Sequence, residues 1–458
     1  MASRTLLALA LCATLPLAGC SAFRSYQSEL TQTSQHLSSG DVPAALALLE
    51  KNNSSADKDL LYYFEKGELL RAQGDLAGSQ EAWRSADRTI VEWEDSLKAD
   101  PGKHLGTVGS LLVNDKVRRY EGYDYEKVML TTQMALSHLA LGDFDGARTE
   151  IKKTHEREAL IAELRDKEYL KREEEAKEKG ITAEFKDLQG YPVESLDAPE
   201  VLGLKNSYQS AFSHYLSGFV YEALGERGLA APGYRKALEL RPNTPLLEQA
   251  LLDLDASARR KADESEVLLV VQSGLAPSRD SVRIPLPIPT PHGLIITPLS
   301  FPVIREDNST PAPASLVVAG RTVDLTELNS TSAMSRRALR DDMPGIILRT
   351  SVRAISRSVA QKQLNEVNPL AGLAVGLASA ITEGADERTW RTLPDRTRIA
   401  RLRLKKGEHE LNLDGHPLHV KVERDYQVIT LRSVGNQLFS AGTATPASFG
   451  SLLSGCSE

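Results

Sequence analysis

The chain has 458 residues, 41% hydrophobic, 26% charged and 5% aromatic, and a formal charge of −7. This is the composition of folded globular protein, and its abundant Ala and Leu lean it toward helix. The negative balance argues against non-specific adhesion to nucleic acid or acidic lipid, and no apolar run beyond the N-terminus approaches the ~18–20 residues of a membrane-spanning helix.

A single positive charge, Arg4, precedes an apolar run from Leu6 to Leu17, the layout of a secretory signal. The run closes on Leu17-Ala18-Gly19-Cys20, where two small residues leave the backbone beside Cys20 open to modifying enzymes. This tetrapeptide resembles a bacterial lipobox. The resemblance implies a diacylglycerol on the Cys20 thiol, cleavage before it and acylation of the new amine. With Ser21 next rather than Asp, it also implies an outer-membrane anchor with the body facing the periplasm. Three acyl chains, at roughly 0.8 kcal/mol per buried methylene, hold a protein on a membrane durably. Loss of residues 1–19 leaves 439, room for two or three domains at roughly 100–200 residues each. The cysteines are Cys12, Cys20 and Cys456. With the first removed and the second lipidated, no internal disulfide is expected.

Gly-Asp recurs at 40–41, 74–75 and 142–143, separated by one and then two steps of 34 residues. A fixed period of this size signals stacked helix pairs. Gly ends one helix and Asp caps the next. The clearest copy runs from Tyr215 to Pro242 and resembles the tetratricopeptide repeat. Gly218 takes the small position of its first helix and Tyr221 the aromatic one. Ala230, Tyr234 and Ala237 take the second-helix positions, and Pro242 ends the unit. Near residue 74 the same slots hold Gly67, Leu70, Ser79, Trp83 and Ala86. The copies at Gly40 and Gly142 have Thr33 and Ala135 in the small position. The reading is an α-solenoid over 20–260 with insertions at about 93–125 and 150–204. The second insertion begins as one long charged helix, 150–179, and ends in a loop, 189–204. Resemblance to tetratricopeptide proteins implies protein binding on the concave face. Its inner slots are Leu61, Phe64, Glu68 and Arg71 in one copy, and Phe212, Tyr215, Phe219 and Glu222 in another. The alternative for each is packing on the next helix.

From about 264 to 440 the texture is α+β. The run 267–271 reads as a buried strand, and 282–289 alternates but carries prolines that suit only an edge. Short strands follow at 294–297 and 301–304, then a hairpin, 316–323, about Ala319-Gly320. A helix is expected over 334–366 and a second, apolar and small, over 369–383. Arg349, Arg353 and Arg357 recur four apart on the first. They form a stripe for an anionic partner, or else a solvated or internally paired face. The spacing at 397–432 predicts a four-strand antiparallel meander with a turn at Asp414-Gly415. Residues 441–458 read as a disordered tail.

Gly274-Leu275-Ala276-Pro277 with 282–287, and Ala385-Asp386-Glu387-Arg388-Thr389-Trp390-Arg391-Thr392-Leu393-Pro394 running into the Arg401/Arg403 strand, carry a further likeness. With the lipobox and the repeats, they resemble a little-characterised family of Gram-negative lipoproteins. Its genes neighbour those of an activator lipoprotein of penicillin-binding proteins, which implies cell-wall work by association.

No catalytic motif is present: there is no nucleophile elbow and no phosphate-binding loop. His155-Glu156 is followed by Ala159 where a zinc motif needs its second His. No catalytic or metal residue, cofactor, nucleic acid or small-molecule substrate is therefore expected. The function expected is that of a lipid-anchored periplasmic scaffold that holds an envelope protein on its concave face. The alternatives are a regulator of peptidoglycan synthesis, or an envelope hydrolase with its site in the C-terminal half.

Overall fold

The computed structural model describes residues 26–99, 119–179, 188, 190–255, 260–290, 293–367, 385–441 and 444–446. The signal segment with Cys20, the expected helix at 369–383 and Cys456 lie outside the described residues.

The N-terminal half is built of antiparallel helix pairs: α1 (Tyr26–Ser38) with α2 (Val42–Asn52), and α3 (Leu60–Gln73) with α4 (Leu76–Ala99). Then come α5 (Asp124–Ala140) with α6 (Phe144–Lys179), and α9 (Ala211–Ala223) with α10 (Arg227–Leu240), followed by α11 (Pro245–Asp255). Each pair turns on a glycine in the left-handed region, where a side chain is strained: Gly40, Gly74, Gly142 and Gly225 have φ of 86°, 89°, 73° and 77°. The following Asp caps the second helix in three copies. Asp41, Asp75 and Asp143 accept from the amides of Ala44, Gly78 and Gly146 at 3.1, 2.9 and 2.9 Å. Glu226 stands there in the last copy and pairs instead with Arg148 of α6 at 2.6 Å.

The small positions sit where the helices of a pair meet. A Cβ on Gly67 would overlap the Trp83 indole, and one on Gly218 would lie 2.5 Å from the Tyr234 ring. Two expectations about the insertions need correction. Residues 93–99 continue α4, because its amphipathic stripe does not end at Trp93. The loop at 189–204 contains two short helices, α7 (Val193–Leu196) and α8 (Pro199–Leu202).

In the C-terminal half, β1 (Glu264–Ser273) is buried almost throughout. It pairs in parallel with β10 (Tyr426–Val434) and antiparallel with β7 (Arg396–Lys405). The first sheet runs β11 (Gln437–Ala441), β10, β1, β7, β6 (Thr326–Ser330). A second runs β12 (Ala444–Pro446), β9 (His416–Val422), β8 (Gly407–Leu413), β4 (Ser315–Val318), β5 (Arg321–Asp324). The expected meander is therefore divided between two sheets. A strand as apolar as Val267–Val271 needs cover on both faces and partners on both edges, and β7 and β10 supply the edges. The Asp414-Gly415 hairpin folds into the second layer, with φ of 49° and 86°. Val267, Leu269 and Val271 pack with Leu411, Leu418 and Val420 of the second sheet. Leu268 and Val270 pack with Phe212, Tyr215 and Phe219 of the solenoid. The order of layers is helices, sheet, sheet. The boundary expected near 264 thus does not separate two cores. Of the tail expected over 441–458, Ala444–Pro446 is a strand paired with β9, and residues 447–458 lie outside the described residues.

The two short strands expected after 290 are one, β3 (Gly293–Arg305). Among the described residues it forms a two-stranded ribbon with β2 (Ser278–Thr290). The base of this ribbon packs on α12 (Thr331–Val367) through Ile284, Leu299 and Phe301 against Leu339, Met343 and Ile347.

Candidate functional site

The concave slots of the solenoid do face inward, as their spacing requires, but the chain's own sheet fills the concavity. Leu61, Phe64, Glu68, Arg71, Phe212, Tyr215 and Phe219 are all buried. Phe64 stacks on Trp390, with ring centroids 4.6 Å apart. Glu68 accepts from Arg432 Nε of β10 at 3.1 Å, and Arg71 Nη2 donates to Gln272 Oε1 of β1 at 2.6 Å. Glu222 takes both Arg401 guanidinium nitrogens, at 2.6 and 3.0 Å. The expected partner-binding face is therefore an internal interface, because the exposed apolar slots and the buried β1 sheet each need the cover the other provides.

The segment 385–394 lies in the same concavity and is held by its backbone. Trp390 N donates to Glu126 Oε1 at 2.7 Å, Arg391 N to Glu65 Oε1 at 2.5 Å and Thr392 N to Glu65 Oε2 at 3.1 Å. Buried carboxylates on α3 and α5 thus satisfy amides that no strand pairs. Burial pushes the Glu65 carboxyl up to about 7, against the lowering effect of Thr392 and the two amides. Glu65 and Glu126 were not singled out from sequence. The one available signal was an acidic residue directly after an aromatic, Phe64 or Tyr125, in two first helices of pairs.

The arginine stripe does not survive as a surface. Arg353 is buried and its Nη2 lies 3.4 Å from Thr350 Oγ1; Arg349 is half-buried. The turns of α12 on which they sit pack into the fold and do not face solvent alone. The side chain of Arg357 lies outside the description. His155 stacks on His214 with centroids 5.2 Å apart, and burial pushes its pKa down. Among the described residues, no group of three or more His, Cys, Asp or Glu is placed to hold a metal ion.

One inner slot reaches an open concavity. Where α9, α10 and α11 meet one end of the central strands β10, β1 and β7 of the first sheet, a cleft of about 330 Å³ is lined by Glu222, Arg227, Asp253, Arg260, Glu266, Arg401, Arg403, Asp425 and Tyr426, among others. Arg401 bridges Glu222 and Glu266, at 2.6 and 3.1 Å. Arg403 pairs with Glu266 at 2.6 Å, and Arg260 with Asp425 at 2.6 Å. The Tyr234 and Tyr426 hydroxyls donate to Glu222 at 2.6 and 3.2 Å. Burial pushes the Glu222 carboxyl up, but the Arg401 fork, its charge and the two hydroxyls outweigh it and hold the pKa below the ordinary range. A carboxylate locked ionised in this way recognises charge and is unsuited to donating a proton. Among the described residues that line the cleft, none is a Ser, Cys or His.

No family model matches the chain and no curated protein matches it. Among solved structures, a tetratricopeptide repeat protein from Parabacteroides merdae is similar at 15% identity. It covers 50% of this chain and 98% of its own, with a TM-score of 0.14. At that score the likeness carries no argument, and the repeat reading rests on the turns and helix contacts described above.

Proposed function

We propose that the protein is a lipid-anchored, non-enzymatic adaptor of the outer membrane, tethered through Cys20 and holding an envelope protein in the periplasm. The partner is engaged at the seam between the last helix pair and the first sheet, not in the solenoid groove. The observation that supports this is the charged cleft. It is open, it is rigidly organised by Arg401 and it lies between two elements that share a core, so its geometry is set before any partner arrives. Mixed charge of this kind favours a protein surface carrying both signs and contributes to specificity more than to affinity. A role in regulating peptidoglycan synthesis is the narrower form of this proposal, and only the family resemblance supports it. The hydrolase alternative gains no support from the cleft, whose Glu222, Glu266 and Asp425 carboxylates are held by arginine.

The test is in-cell photo-crosslinking from Arg227 and Arg403, with the exposed Val317 of the second sheet as control. An envelope protein captured from the two cleft positions and not from Val317 is expected. Absence of any adduct from the cleft would falsify the seam as the docking site, and turnover of envelope polymers by the purified chain would return the hydrolase.

A further inference from the structure

The charged cleft at the seam selects an occupant by the hydrogen-bonding capacity that its own ion pairs leave over. Its walls carry four arginines and four carboxylates, so net charge neither draws nor repels an ion. Three of the carboxylates are taken. Each oxygen of Glu222 accepts from one Arg401 nitrogen and one tyrosine hydroxyl. Glu266 Oε1 accepts from Arg403 Nε at 2.8 Å, and Oε2 from Arg401 Nε at 3.1 Å. Asp425 Oδ1 meets Lys406 Nζ at 2.7 Å, and Oδ2 meets Arg260 Nη2 at 2.6 Å. A cation entering the cleft finds each of these oxygens already facing a donor.

Arg401 is spent as well, since Nε, Nη1 and Nη2 all donate. Arg403 is not. Its Nε and Nη2 both go to one oxygen, Glu266 Oε1, at 2.8 and 2.6 Å. Among the described residues nothing accepts from Nη1. Its two N–H groups, on a side chain 41% exposed, are left for an acceptor from outside. Asp253 is the complement. Its Oδ1 accepts from Gln249 Nε2 at 2.7 Å, and Oδ2 has no donor among the described residues. The groups left over are therefore one end of a guanidinium and one carboxylate oxygen. An occupant that satisfies both brings an anion and, beside it, an N–H.

Size narrows the choice. About 330 Å³ is the small end of ligand clefts, ~300–1,000 Å³. It has room for one side chain and its peptide group, not for a helix or a strand. Ala223 and Leu254 line it beside the charges and suit the methylenes of such a side chain.

We propose that the cleft takes a single acidic side chain of the partner protein. Its carboxylate accepts from Arg403 Nη1, and a neighbouring peptide N–H donates to Asp253. The proposal rests on the cleft being the docking seam and adds what the partner puts into it.

The test uses residues 20–458 carrying Cys20→Ser, which accepts no acyl chain, and the blocked peptide acetyl-Gly-Glu-Gly-amide. Saturation-transfer NMR titrations read the dissociation constant. The Glu peptide is expected to bind about tenfold or more tightly than its Gln counterpart, and Arg403→Gln is expected to abolish that difference. Arg321→Gln, on the exposed β5, is expected to leave it unchanged. Matching thermal unfolding shows that the variants are folded. Should Arg403→Gln unfold, Arg403→Lys, which keeps the charge and loses the fork, is expected to weaken the Glu peptide severalfold. Equal binding of the two peptides, or none, overturns the proposal. So does a difference that survives in Arg403→Gln. Acetyl-Gly-Ala binding more tightly than the Glu peptide overturns it too, since the occupant is then a chain end with a free carboxylate. In-cell crosslinking from Arg227 reads the seam separately. An envelope protein captured there without discrimination between the peptides removes the acidic anchor and leaves the seam, and discrimination without an adduct does the reverse.

Discussion

Glu65 shows how a single side chain can hold two halves of a protein together. It sits at the first-helix face of α3, is fully buried, and takes the amides of Arg391 and Thr392. Its folded pKa of about 7 lies above the ordinary carboxyl value of 4.5, so between those values the folded state holds more protons than the unfolded state. Stability contributed by this group is fully present below about pH 4.5 and falls as pH rises toward 7, by about 3 kcal/mol at ~1.4 kcal/mol per unit. Glu65→Gln cannot titrate. The stability gap between parent and variant should shrink as pH rises, in urea unfolding at about pH 5 and about pH 7.5. A gap of constant size across that window would show that Glu65 is ionised throughout. The carboxylates held low by basic partners, such as Asp87 beside Arg157 and Lys153, act below this window and leave the comparison clean.

At the scale of elements, helix pairs are set by where side chains are missing. Gly67 meets the Trp83 indole and Gly218 meets the Tyr234 ring, so each pair packs an aromatic ring against bare backbone. Gly218→Leu should cost at least ~1–3 kcal/mol, because the new side chain must displace a buried Tyr234 that itself holds Glu222. Thermal unfolding of the full chain checks this, and an unchanged midpoint would mean that the pair can open without loss. The same close packing explains why Tyr215 and Phe219, four apart on α9, are core. Both are fully buried, Tyr215 beside Tyr234 and Phe219 edge-on to Tyr426. The sheet strands obey a comparable rule. Alternation at 397–432 correctly marks half-buried strands, but period 2 says nothing about which neighbour a strand pairs with.

Across the whole molecule, the decisive fact is that the solenoid and the first sheet share hydrophobic clusters. Trp390, from the segment before β7, lies in one cluster with Phe64, Trp83 and Tyr125. A chain ended at residue 260 would expose Phe64, Phe212, Tyr215 and Phe219 together, an apolar patch beyond what soluble monomers tolerate. Such a fragment should keep helical circular dichroism, bind a hydrophobic dye and lose its sharp unfolding transition. A fragment that unfolds cooperatively and ignores the dye would show that the solenoid stands alone.

Much of this was legible in the residues themselves. Gly-Asp at a step of 34, Gly67 and Gly218, the Asp414-Gly415 turn and the prolines that confine β2 to an edge are local rules, each set by backbone sterics or hydrogen-bond supply within a few residues. The inward orientation of Leu61, Phe64, Phe212 and Phe219 was legible too, because helical spacing determines a face. What covers that face was not. An apolar concave slot meets an external partner and an internal sheet with the same chemistry, and choosing between them requires knowing that β1 needs cover on both sides. Pairing between residues as distant as Glu65 and Thr392, or Glu222 and Arg401, follows from tertiary contact alone. Buried charge leaves no periodic trace in sequence, and its partner is set by how two halves of the chain close on each other.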